Sequence, residues 1–177
     1  QTDGQSVILE DYLEIRPEMR GKIEELCREG KLVVGPWYVL PDEFLVSAES
    51  HVRNIRLGRE VARSFGTEPS QVGFACDLFG HISQLPQIFA GFGIDNGFVW
   101  RGVEFEGKRH FTWRGADGTE LTCFRFASQG YGDFAFKVRE VTKQELERTP
   151  EERVQLLDDY VENEAASNEV EPILIFD

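Results

Sequence analysis

Asp77 stands directly after Val72-Gly73-Phe74-Ala75-Cys76, a run of small and apolar residues that predicts a buried strand ending on a carboxylate. In α/β folds with parallel strands, reacting groups gather at the carboxyl ends of the strands. A carboxylate placed there can ligate a metal through oxygen, or attack an anomeric carbon. An aspartate after a strand also suits the cap of the following turn. His81 follows four residues on, with Gly80 between, and the glycine works against the helical geometry that would put both side chains on one face. The histidine therefore reads as a group that hydrogen-bonds the loop or the Asp77 carboxylate, not as a ligand. Arg101 closes the next apolar run, Gly97-Phe98-Val99-Trp100, where a guanidinium can orient a carboxylate such as Asp77. Trp37 and Tyr38, followed by Asp42 and Glu43, put aromatic faces and carboxylates into one loop. Such a set suits a sugar, whose apolar face stacks and whose hydroxyls donate. A buried tryptophan anchoring the loop is the other reading. His51 and His110 lack acidic or cysteine neighbours at ligand spacing and read as structural or surface residues.

The elements that must position these groups alternate between helices and short apolar runs, which predicts an α/β fold over one domain, residues 1–177. A helix over 7–15 is followed by a second from Pro17 to Glu29, stopped by Gly30. Lys31 to Gly35 reads as a strand delivering Trp37. Ser47 caps a helix over 48–65 whose apolar side is Val52, Ile55, Val61, Ala62 and Phe65. Strands follow at 71–76 and 96–100, with a short helix over 82–91 between them. Residues 109–126 alternate as a hairpin turning at Ala116-Asp117-Gly118. An acidic helix over 151–163, apolar at Val154, Leu157 and Val161, precedes a last strand, Pro172 to Phe176.

Composition narrows the partners. A net charge of −13 disfavours nucleic acid and anionic membrane surfaces, which are bound through Lys and Arg. No apolar run approaches the ~20 residues of a membrane span. Three cysteines without a C-x-x-C pair give neither a disulfide framework nor a zinc knuckle, and suit a reducing cytoplasm. Phosphate-loop, dinucleotide, Gly-x-Ser-x-Gly and H-E-x-x-H patterns are absent.

Taken together, Val34-Gly35-Pro36-Trp37-Tyr38-Val39-Leu40-Pro41-Asp42-Glu43, then Asp77-Leu78-Phe79-Gly80-His81-Ile82-Ser83-Gln84-Leu85-Pro86, then Val99-Trp100-Arg101-Gly102, closely resemble the N-terminal catalytic domain of glycoside hydrolase family 38 α-mannosidases. Asp11-Tyr12-Leu13-Glu14-Ile15-Arg16-Pro17 is similar to the bacterial branch of that family. The resemblance implies part of a seven-stranded β/α barrel, mostly parallel, with flanking helices and a β-hairpin insertion. It implies that Asp77 is both the nucleophile and a ligand of one zinc ion, with Arg101 beside it and Trp37 and Tyr131 near the sugar. A retaining mechanism fits, in which two carboxyls roughly 5 to 5.5 Å apart carry out double displacement on a mannose-containing oligosaccharide.

The sequence also departs from that family. The His-x-Asp pair that supplies two zinc ligands is missing before Asp77, a later histidine ligand has no counterpart, and the acid/base aspartate is expected just past Asp177. The expectation is an internal fragment, inactive alone and weak in zinc, with open sheet edges that favour self-association. The alternative is a non-catalytic carbohydrate-binding protein derived from the same fold.

Overall fold

The computed structural model describes residues 2–104, 108–127, 129–139, 148–168, 170 and 173–176. Helix α1 (Val7–Ile15) and helix α2 (Arg20–Arg28) form the expected opening pair, joined by a single turn at Pro17–Met19. Leu9, Ile23 and Cys27 from this pair pack with Val34, Val61, Ala62 and Phe65. The last three come from helix α3 (Ala48–Ser64) and its C-cap, and Ser47 caps the helix by accepting the Ser50 N–H.

A four-stranded sheet runs in the order β1-β2-β4-β3. Strands β1 (Gly73–Ala75), β2 (Asn96–Val99) and β4 (Glu120–Arg125) are parallel, and β3 (His110–Arg114) forms the predicted hairpin with β4. Helix α4 (Leu85–Gly91) connects β1 to β2. The register aligns Phe74 with Phe98 and Phe124, and Ala75 with Val99 and Arg125. Because successive side chains alternate, the sheet has an aromatic face and a face of smaller residues. The smaller face packs Ala75, Val99, Leu121 and Cys123 against Ile55, Leu85, Phe89 and Trp37. Gly73 permits this approach, since a Cβ there would lie 2.7 Å from the Phe89 ring. The aromatic face gathers Phe74, Cys76, Phe124 and Phe126, flanked by Phe98, Trp100, Tyr131, Leu174 and Phe176.

Two expected strands are not formed. Residues 31–35 run as irregular chain, pinned by Thr2 N–H to the Val33 carbonyl and Ser70 N–H to the Val34 carbonyl, and just beyond them Trp37 forms an isolated bridge with Gln5. Ile173 to Phe176 is likewise irregular, while Pro172 and Asp177 lie outside the described residues. What is observed is a mixed α/β fold on four strands, coarser than the seven-stranded barrel. Helix α5 (Pro150–Ser167) starts with a full capping box between Thr149 and Glu152. Its buried residues are Tyr160 and Glu164, whereas Val154 and Leu157 are exposed, so the predicted apolar side is not the one that packs.

Candidate functional site

The three parallel strands end side by side, and the residues just beyond them form the site. Cys76 follows β1 with its thiol buried against the Phe98 carbonyl, and Asp77 then turns outward, its side chain 41% exposed. Trp100 and Arg101 follow β2. The Arg101 Nε–H donates to Asp77 Oδ1, uniting the two residues that the sequence singled out. The guanidinium is held from other sides as well, 4.0 Å from the Trp100 ring centroid and 5.5 Å from that of Phe79. Planar stacking plus a charge-assisted hydrogen bond fixes a cation beside a carboxylate and orients one of its oxygens.

The loops behind this pair interlock. Gly102, at φ +73°, lies so near Gly80 that a Cβ would stand 2.9 Å from its Cα. His81 lies between these loops. Its Nε2 is 2.8 Å from the Arg101 carbonyl oxygen, and its Nδ1 is 2.7 Å from Glu43 Oε1. Glu43 is fully buried and also accepts the Ile82 N–H through Oε2 at 2.7 Å. His81 thus holds the loop and not the Asp77 carboxylate. Glu43 was legible only as one of two carboxylates in the tryptophan loop; its partner across 38 residues was not.

Trp37 requires a correction. Its side chain is 0% exposed, its Nε1–H donates to the Phe74 carbonyl at 2.7 Å, and its ring meets Phe89 and His51. It anchors the loop inside the core and presents no face for a sugar. Tyr131 does reach the site region, packed on Phe74, Trp100 and Phe126. Burial first, then the negative charges of Asp3 and Asp77, push its phenol above the usual range, so it remains an O–H donor at neutral pH.

Asp3 is a carboxylate near Asp77 that the sequence reading passed over. Asp3 and Gly4 both have positive φ, 48° and 72°, and the Gln5 N–H bonds the Thr2 carbonyl at 2.8 Å, a two-residue turn with Asp3 at its tip. The turn sits on β1, because a Cβ on Gly4 would lie 2.6 Å from the Phe74 ring. Partial burial raises the Asp3 pKa, a Gln5 side-chain hydrogen bond opposes this, and the Asp77 charge adds to the rise. Asp-Gly was the available signal, a turn dipeptide preceding a helix. Among the described residues no three His, Cys, Asp or Glu side chains converge on a point that could hold a metal. Burial drives the Cys76 thiol well above its ordinary pKa, and its Sγ is turned to the Phe98 carbonyl. The residues present therefore do not by themselves fit a zinc centre.

The profile described as "Glycosyl hydrolases family 38 N-terminal domain" matches residues 4–176. A Halalkalibacterium halodurans protein described as "Putative mannosylglycerate hydrolase" is 46% identical over 101 residues, covering 57% of this chain and 11% of that protein. "Alpha-mannosidase G" of Dictyostelium discoideum is 31% identical over 111 residues, covering 59% of this chain and 10% of the relative. The crystal structure of an alpha-mannosidase from Enterococcus faecalis superposes with a TM-score of 0.85 at 28% identity, covering 99% of this chain and 19% of the other. The chain thus spans between a tenth and a fifth of the length of these relatives.

Proposed function

This chain belongs to glycosyl hydrolase family 38, as a stretch of its N-terminal domain, and from that premise we propose that it carries the nucleophile of a retaining α-mannosidase, Asp77. The observation supporting this reading is the Asp77–Arg101 pair at the ends of β1 and β2, open to solvent and held from behind. In the first displacement an Asp77 oxygen attacks the anomeric carbon and the bond to the aglycone oxygen breaks. The departing oxygen takes a proton from an acid that no residue of this chain is assigned to supply. Water then cleaves the mannosyl ester, with the proton leaving by the reverse route. Arg101 engages one oxygen of Asp77 and leaves the other for the carbon. Tyr131 and Asp3 are suited to donate to and accept from sugar hydroxyls.

Zinc stays part of the proposal for the whole protein. When bound, it would polarise sugar hydroxyls and act as an electrostatic anchor. A zinc site takes about four ligands, and this stretch offers Asp77. No step above is routed through the metal. The 177 residues alone are proposed to be inactive.

The test is to treat the full-length protein with a 2-fluoro mannosyl fluoride, which accumulates the ester, and to locate the adduct by peptide mass spectrometry. An adduct on Asp77 is expected. Hydrolysis of an aryl α-mannoside with the label on another residue, or with inversion, overturns the reading. Mannoside binding without turnover, retained in Asp77→Asn, points instead to a carbohydrate-binding protein. A mannosylglycerate substrate run beside the aryl mannoside determines whether the aglycone carries an acid, as the 46% identical relative's description suggests.

A further inference from the structure

Glu43 and His81 are nearly or wholly buried titratable groups that the displacement chemistry does not touch, and their hydrogen bonds obey strict accounting. The side chains are 0% and 5% exposed. His81 Nε2 faces the Arg101 carbonyl oxygen, which can only accept, so Nε2 carries a hydrogen. A neutral ring with that tautomer has a bare Nδ1, which would face a bare carboxylate oxygen 2.7 Å away. Two lone pairs at that distance repel, so a second hydrogen lies between Nδ1 and Glu43 Oε1. The Ile82 N–H on the other oxygen favours the carboxylate form of Glu43 and places that hydrogen on the ring.

We propose that Glu43 and His81 are a positioning pair for the nucleophile, in which a buried carboxylate keeps the ring protonated on both nitrogens and the ring holds Arg101 in place for Asp77. Glu43, His81 and Arg101 come from three connections: the segment before α3, the loop after β1 and the loop after β2. Each bond along Glu43, His81, Arg101 and Asp77 is made in the structure. The ring packs edge-on against Trp113 at 5.1 Å, and Gly102 makes room for it, since a Cβ there would stand 3.1 Å from His81 Cδ2. Other charged or titratable groups in the same loops are Asp42, which accepts the Phe79 N–H, His51, whose Nε2 contacts the Glu43 carbonyl, and Glu104, which lines the hollow beside His81. Both His81 ring nitrogens are taken, by the Glu43 carboxylate and the Arg101 carbonyl. A glutamine at 43 would still serve the ring, its amide N–H donating to a bare Nδ1, whereas a leucine would leave Nδ1 without a partner and loosen the ring, the Arg101 carbonyl and with it the direction of the guanidinium.

The inference rests on Asp77 being the nucleophile, and the experiment separates the two claims. The full-length protein, labelled with ¹⁵N-histidine, is measured by NMR near neutral pH, with His81→Gln identifying the resonance. Both His81 nitrogens should carry hydrogens in the wild type, and Glu43→Gln should convert the ring to a single neutral tautomer. Glu43→Leu should lower kcat/KM on an aryl α-mannoside by about 10- to 100-fold, mostly in kcat, as loss of an orienting partner does, and Glu43→Gln by less. A bare His81 nitrogen in the wild type overturns the pair, as does Glu43→Leu with wild-type kcat/KM. If Glu43→Leu does not fold, the wild-type and Glu43→Gln spectra decide. A wild type that cleaves no mannoside sinks the catalytic reading, while the nitrogen signals still test the proton accounting.

Discussion

Arg101–Asp77 and Arg109–Glu164 are both long-range arginine–carboxylate pairs. The first keeps 42% and 41% of its side chains in solvent; the second keeps 5% and 6%. Arg101 and Asp77 sit beyond parallel strand ends, where the pair is screened and contributes ~0–1 kcal/mol to stability. Arg109 and Glu164 tie the start of β3 to α5, and burial makes each group dependent on the other, since an orphaned buried charge is severely penalised. Identical chemistry is thus open to solvent in one region, as the proposed reaction requires, and closed in the other, where it serves cohesion.

The largest effect that could break this contrast is on activity. Asp77→Asn in the full-length protein should reduce aryl α-mannoside hydrolysis on the order of 10⁴- to 10⁶-fold, as loss of a nucleophile does, while the denaturant midpoint stays near wild type. A large loss of stability instead would place Asp77 with the structural pairs. The mirror experiment is Glu164→Ala, which removes the buried carboxylate paired with Arg109. It should cost ~3–5 kcal/mol in urea unfolding and leave kcat/KM of the folded fraction unchanged. The double variant Arg109→Met with Glu164→Leu should recover most of that loss, because replacing a whole buried pair by apolar groups is often neutral.

Packing gives the next effect in size. Gly58 lies in the middle of α3 and its missing Cβ leaves room for the Trp37 backbone, which would stand 2.3 Å away. Gly58→Ala should destabilise by ~1–3 kcal/mol through displacement of the Trp37 loop, and calorimetry would detect it. An unchanged melting temperature would mean that the loop yields freely, and that Trp37 is less of an anchor than its burial indicates.

These cases show what was legible in the sequence. Helical periodicity, Ser47 as a cap and the Asp-Gly hairpin turn gave α1 to α4 and the β3–β4 hairpin, because those signals are local. Asp77 and Arg101 were legible because each ends an apolar run. The irregular path of 31–35 was not, since its partners are Thr2 and Ser70, distant in the chain. The packing side of α5 was missed because Glu164 is buried by pairing, which no hydrophobic pattern shows. Trp37 was read from the chemistry of its ring, and only the Phe74 carbonyl shows which way the indole points.

The smallest effect applies the burial argument to a single group on the helix-packed face. Burial pushes the Cys123 thiol from 9.0 up to about 12. The unfolded chain releases this proton near pH 9 and the folded chain holds it to about 12, so in that window the unfolded state binds fewer protons. Stability must then fall as pH rises through the window and be insensitive to this group below it. At pH 10 the loss is about 1 kcal/mol, from 1.36 kcal/mol per pKa unit. Cys76 and Tyr160, also raised by burial, add loss of the same sign, so the wild-type curve alone does not isolate Cys123. Urea midpoints of wild type and Cys123→Ala between pH 8 and 10.5 do isolate it. The wild type should lose stability faster, while parallel curves would mean that the thiol reaches solvent and that the face packed against α4 is less tightly closed than Gly73 and Phe89 make it.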